Sequence, residues 1–175
     1  MYATKHGATR GIAERIAETL RTQGLDVTIA DAKDEPVTSG ADAFVIGSAA
    51  YIGKWQKEAI EFVRSNEAFL RTRPVWLFSS GPVGTEEFDK KGNTVLVAPE
   101  VVAELAESIG ARGTQVFFGA WDPTQSPASV GERFALMIPK VKELLPLGDF
   151  RDWEAIDAWA IDIAHELEKA PVAAG

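Results

Sequence analysis

Three short apolar runs constrain this chain more than any other feature. They are Ala43-Phe44-Val45-Ile46-Gly47, Val75-Trp76-Leu77-Phe78 and Gln115-Val116-Phe117-Phe118-Gly119. Each is short for a helix and lacks the polar alternation of a half-exposed strand, so each reads as a strand buried on both faces. Between and around them the spacing turns helical. Ile12, Ala13, Ile16, Ala17 and Leu20 share one face, and Thr9 is placed to cap that first helix, which Gly24 stops. Trp55 to Leu70 repeats the pattern through Ala59, Phe62 and Val63; a third helix runs from Pro99, as its first residue, to Ile109, with Gly110 stopping it. Trp153, Ile156, Ala160, Ile163 and Leu167 mark a last helix over 152–169. Leu25 to Ala30 alternates as a further strand, residues 31–40 read as a loop or short helix, and 85–98 are irregular. Buried strands alternating with amphipathic helices predict an α/β fold, a doubly wound parallel sheet.

Composition narrows the chemistry. The 175 residues suit a single domain, expected over 1–170, with a tail at 171–175 that frays. There is no cysteine, which removes disulfides, thiol nucleophiles and cysteine-held metal clusters, and only His6 and His165 remain as imidazoles, so no metal site is expected. A net charge of −8 and a pI near 4.8 argue against nucleic acid as a partner. No apolar run approaches the ~18 residues of a membrane span, and no signal peptide precedes the first helix; a soluble, cytoplasmic protein is expected.

Ligands of doubly wound sheets bind beyond the carboxyl ends of the strands, which singles out the loops 4–9, 47–55, 79–84 and 119–123. In Thr4-Lys5-His6-Gly7-Ala8-Thr9, two hydroxyls and a glycine meet at the positive end of a helix. That arrangement suits a phosphate, or it is a plain capped turn. The chain has neither a Walker A sequence nor a Gly-x-Gly-x-x-Gly. Ser48-Ala49-Ala50-Tyr51-Ile52-Gly53 combines small residues, which let backbone approach a ligand, with surface for a planar ring, whereas Trp55 reads as the first core residue of the next helix. Ser80-Gly81-Pro82-Val83-Gly84 could present backbone groups to the polar edge of a heterocycle, or simply turn the chain.

These residues resemble the flavodoxins. Thr4 to Thr9 looks like their Thr-x-x-Gly-x-Thr phosphate loop, and the likeness continues through Gly47–Val63 and Asp152–Leu167, where the chain is similar to the flavodoxin-like protoporphyrinogen oxidases, quinone-linked dehydrogenases. The resemblance implies a three-layer α/β/α sandwich and FMN as cofactor. Residues 4–9 would hold its phosphate, with Thr4 and Thr9 donating hydroxyls, while 48–53 and 79–84 flank the ring and Gly53 or its predecessor flexes. It also implies a redox partner protein or quinone-type acceptor. Two departures stand out. Tyr51 and Ile52 replace an arginine and a tyrosine of the protoporphyrinogen enzymes, weakening the case for a carboxylated substrate. Only Met1, Tyr2 and Ala3 precede Thr4 where the family has a full apolar strand, so the first strand reads as truncated, its neighbours are expected to lose backbone pairing, and the true start is expected upstream.

The rest of the chain takes plainer readings. Phe134 to Ile138 with Val141, Leu144 and Leu145 reads as a packed helix ahead of a membrane or quinone contact; Lys90-Lys91 reads as a solvated loop and His165 as structural or exposed. No aspartate ends the third strand, which excludes a phospho-receiver. The function expected is an FMN-dependent oxidoreductase or electron carrier with no catalytic acid or base identified. Its acidic charge would lower the flavin potential and steer basic partners. The alternative is a flavodoxin-shaped interaction module that binds no flavin.

Overall fold

The run at 75–78 becomes the strand around which everything else is arranged. In the computed structural model, which describes residues 1–34, 36, 38–51, 53–122 and 147–169, all side chains of β4 (Val75–Ser80) are buried. Its alternate residues feed two cores. Val75 and Leu77 join Ile46, Ala59, Val63, Val102 and Ile109 on one face, whereas Trp76 and Phe78 join Ile12, Ile16, Ile156 and Ile163 on the other. A strand that must be apolar on both faces shows no polar alternation, which is why its sequence is continuous.

The main sheet is parallel, in the order β1 (Tyr2–Ala3), β2 (Phe44–Tyr51), β4, β5 (Gly113–Phe117). Helices α2 (Lys57–Ser65), α3 (Glu67–Leu70) and α4 (Glu100–Ile109) contribute to the first core; α1 (Ala8–Thr22) and α5 (Trp153–Lys169) contribute to the second. The result is three layers, α/β/α, as expected. The two outer helices of the second layer are tied by a cross-link: Arg15 donates to Asp157 through Nε at 2.7 Å and Nη2 at 2.5 Å, and the Thr19 hydroxyl donates to Asp157 Oδ1 at 2.6 Å.

Several expectations are corrected. The strand predicted to end at Gly47 continues to Tyr51, because β4 runs on to Ser80 and pairs with it (Ser48↔Ser79, Ala49↔Ser80). The following residues fold back as a hairpin, in which β3 (Lys54–Trp55) pairs antiparallel with β2 (Ala50↔Trp55, Tyr51↔Lys54). The helix expected from Trp55 therefore starts at Lys57, and it breaks at Asn66, whose side-chain amide donates to the carbonyl of Phe62 at 2.8 Å. Pro99 precedes α4 in an extended conformation rather than opening it. Gly24 and Gly110 do terminate their helices with positive φ; Gly24 completes a Schellman motif, with N–H groups of Gly24 and Leu25 donating to Arg21 and Leu20.

The strand expected at 25–30 does not form. With two residues, β1 offers its outer neighbour a single bridge, Tyr2 to Asp31, and one bond from Tyr2 N–H to Ala30 O at 3.0 Å. Leu25, Val27 and Ile29 still pack on the second core without a ladder. On the inner side Met1 covers part of the gap: its amino group donates to Val45 O at 2.9 Å and its carbonyl accepts from Gly47 N–H at 3.0 Å. Burial pushes that amine down to about 6. Trp55 is 4% exposed, a core residue as read; Lys90, Lys91 and His165 are exposed. The segment from Phe134 to Leu145 and the tail lie outside the described residues.

Candidate functional site

The ends of β1, β2, β4 and β5 point the same way, so the four loops singled out above share one edge of the sheet. The first loop is built on a glycine. Gly7 caps α1 with φ 87°, a left-handed conformation that leaves Thr4 Oγ1 to accept the Gly7 N–H at 2.9 Å. Thr9 is therefore not the cap. It is the second residue of α1, fully buried, and its hydroxyl has no hydrogen-bond partner among the described residues. A fully buried hydroxyl left unsatisfied is costly, and here it lies in the first turn of a helix whose free N–H groups favour negative charge. The loop is chemically equipped to take an anion's oxygens.

The second loop behaves differently. Ser48 is as buried as Thr9, but its hydroxyl accepts the Gln56 N–H at 2.9 Å and donates to Ala49 O at 3.2 Å. Ser79, also fully buried, accepts the indole N–H of Trp55 at 2.8 Å. Those hydroxyls hold the hairpin against β4 and are spent there. Gly47 is required for the same closeness: a Cβ would lie 1.9 Å from the Phe78 ring. What this loop exposes is Ala49, Ala50, Tyr51 and Gly53, half-buried or exposed at the hairpin tip, with Gly53 at φ 68°. Ile52 lies outside the described residues.

In the third loop, Ser80 is 5% exposed and Gly81, Pro82, Val83 and Gly84 are partly exposed. Two of its backbone groups are committed to the fourth: Gly81 N–H donates to Phe117 O and Gly119 N–H donates to Pro82 O, both at 2.9 Å. Beside it opens an apolar depression of about 400 Å³, lined by Pro82, Val83, Val95 and Phe118 among others and rimmed by Phe88, which is 60% exposed.

Side chains from separate loops meet around His6. Its ring lies 5.0 Å from that of Trp121, edge-on at 87°, and 6.3 Å from that of Tyr51; the Lys5 ammonium stands 3.7 Å over the Tyr51 ring. Lys54, opposite Tyr51 across the hairpin, and Lys57 line a second depression of about 330 Å³. Positive charge thus gathers at this edge of an acidic chain, a local feature that net charge conceals.

Sequence reasoning missed Trp121 and Arg151. Trp121 belongs to β6 (Ala120–Trp121), which pairs antiparallel with β7 (Gly148–Asp149). Arg151 donates to Asp149 at 2.7 and 2.5 Å, holding that carboxyl below the usual range, and reaches Ala8 O at 3.4 Å across Gly11, where a side chain would collide with it. The sole signal for Trp121 was its place in the fourth loop. Among the described residues there is no cluster that could hold a metal ion, and no helix is long and apolar enough to cross a membrane.

The flavodoxin domain profile matches residues 1–126, most of the chain. The chain belongs to the flavodoxin domain family. Among curated proteins it is similar to protoporphyrinogen IX dehydrogenase [quinone] of Escherichia coli (strain K12), 23% identical over 97% of this chain and 95% of that one. Among solved structures it shares its fold with oxidised flavodoxin 1 from Bacillus cereus (TM-score 0.59, 15% identity, 97% and 96% covered). It also shares the fold of rubredoxin oxygen:oxidoreductase from Desulfovibrio gigas (TM-score 0.61, 15% identity), covering 95% of this chain but 35% of that one. The flavodoxin-like fold and family are thereby established.

Proposed function

We propose that this chain binds FMN and works as an oxidoreductase or electron-transfer protein. The observation that carries this reading is the fully buried, unpartnered hydroxyl of Thr9 in the first turn of α1, beside a loop shaped by Gly7 and Thr4. A phosphate there gives that hydroxyl an acceptor and meets the positive end of the helix. Residues 4–9 (Thr4, Lys5, His6, Gly7, Ala8, Thr9) would hold the phosphate. Ala49 to Gly53 would flank the ring on one side and Ser80 to Gly84 on the other. Ser48 and Ser79 act behind them by fixing the hairpin's distance from β4. When bound, the flavin supplies reversible transfer of one or two electrons. The chain's own residues orient it, screen its phosphate from water and set the charge around it.

The electron partner is a redox protein or a quinone-type acceptor, the second suggested by the name of the E. coli relative. A protoporphyrinogen-oxidase-like activity is the finer form of this reading; the lysines around Tyr51 supply cations for a carboxylated substrate that the missing arginine does not. Titration of the purified protein with FMN tests the central claim: a yellow protein with flavin absorbance and saturable binding is expected. A protein that stays colourless with excess FMN overturns it and leaves a flavodoxin-shaped interaction module. Assay of the loaded protein with protoporphyrinogen and a menaquinone analogue then separates enzyme from carrier, since a carrier gives no turnover.

A further inference from the structure

Buried polar side-chain atoms at this edge lack hydrogen-bond partners among the described residues, and two of them come from different parts of the chain. One is Thr9 Oγ1 on α1; the other is the indole nitrogen of Trp121 on β6, a residue 8% exposed whose N–H has no acceptor among the described residues. An indole N–H is a donor only, so it can be satisfied solely by a lone pair brought to it. Buried donors left unmet are costly, and native proteins keep few of them without a use.

The position of Trp121 narrows what brings the lone pair. Its ring packs edge-on against His6, in the middle of the loop that enters α1. Nor is β6 loosely placed: it pairs with β7, whose Asp149 grips Arg151, and Arg151 in turn reaches the first turn of α1 at Ala8. Gly11 keeps that approach open. Donors from the first turn of α1 and from β6 are thus both held around one short loop.

We propose that Trp121 is a phosphate-binding residue of this chain, its indole N–H donating to an oxygen of the anion held at the mouth of α1. This rests on the FMN reading and adds to it a contact from the loop after β5, beyond the loop 4–9. It also accounts for the β6–β7 ribbon and its Arg151 anchor as the frame that carries Trp121 to the phosphate.

The test is Trp121→Phe in the full chain, which removes the N–H and keeps most of the ring. Its affinity is compared for FMN and for riboflavin, which lacks the phosphate. The FMN dissociation constant is expected to rise about tenfold or more, as for loss of a hydrogen bond to a charged group, and that of riboflavin less than about twofold. Without ligand, the variant should melt at or above the wild-type temperature, since no hydrogen bond within the protein is lost. In the wild-type protein, the Trp121 indole N–H resonance should shift on adding FMN and stay in place on adding riboflavin; this holds even if the variant fails to fold. Equal weakening for both flavins, unchanged FMN affinity or an unmoved indole resonance overturns the proposal while leaving FMN binding intact. A wild-type protein that binds neither flavin overturns both.

Discussion

Thr9, Ser48 and Ser79 are buried to the same extent, each 0% exposed, yet they stand in opposite chemical situations. At the β2–β3 hairpin the two fully buried hydroxyls are used: Ser79 by Trp55, Ser48 by Gln56 and Ala49. At the mouth of α1 the Thr9 hydroxyl is used by nothing among the described residues. The difference separates two meanings of a buried polar group. A satisfied one is part of the frame, and its removal is felt in folding. An unsatisfied one lowers the stability of the empty protein, and its removal is felt when a ligand arrives.

The contrast can be broken in four places. The largest effect is expected at Gly47, where an alanine methyl would press into the Phe78 ring; Gly47→Ala should cost about 3 kcal/mol in denaturant unfolding, the upper part of the overpacking range. Ser79→Ala leaves the Trp55 indole N–H buried and unmet, for a loss of about 2 kcal/mol with little change in FMN affinity. Thr9→Val should do the reverse. Stability of the ligand-free chain stays within about 0.5 kcal/mol of wild type, while FMN binds about tenfold more weakly by fluorescence titration. A Thr9 variant that unfolds as readily as Ser79→Ala would erase the distinction. Gly7→Ala meets no neighbour within 4 Å, so its cost comes from the left-handed backbone alone, about 1 kcal/mol.

The smallest effect sharpens the comparison from outside the site. Hydrogen bonds from Arg15 hold the Asp157 carboxyl below its usual 3.8, so the folded state binds that proton less readily than the unfolded state. The stabilisation is complete above the unfolded value and is lost as pH falls through the lower folded one. Melting temperatures between pH 5 and pH 2 should therefore drop less steeply for Asp157→Asn than for wild type, with flavin affinity at neutral pH unchanged.

Much of the architecture was legible because the rule that produces it is local. A strand buried on both faces must be apolar at every position, and Val75 to Phe78 says so without help from its neighbours. The loop at the mouth of α1 was legible as a candidate anion site for the same reason: Gly7 and the two threonines lie within six positions. What was not legible depends on distant partners. Residues 25–30 alternate as a strand should, but a strand needs a ladder, and β1 gives them one bridge. The extension of β2 to Tyr51 follows from how far β4 runs, which the small residues 48–50 do not encode. The cap was misassigned to Thr9 because cap and second helical residue differ by the φ of Gly7. Trp121 reaches His6 through a turn of the fold that joins opposite parts of the chain, and no spacing rule reports such a meeting.

The cross-link between α1 and α5 bears on how the molecule is made. Arg15 and Asp157 are 142 positions apart, and the apolar stripe of α1 shares its core with Ile156, Ala160 and Ile163. During synthesis the first helix therefore leaves the ribosome long before the residues that cover it. Until the last helix emerges, Ile12 and Ile16 lack part of their cover, and the nascent chain presents a sticky surface for most of its translation. Chaperone capture and aggregation of stalled nascent chains should fall sharply when an added C-terminal extension carries the segment around residue 157 clear of the exit tunnel.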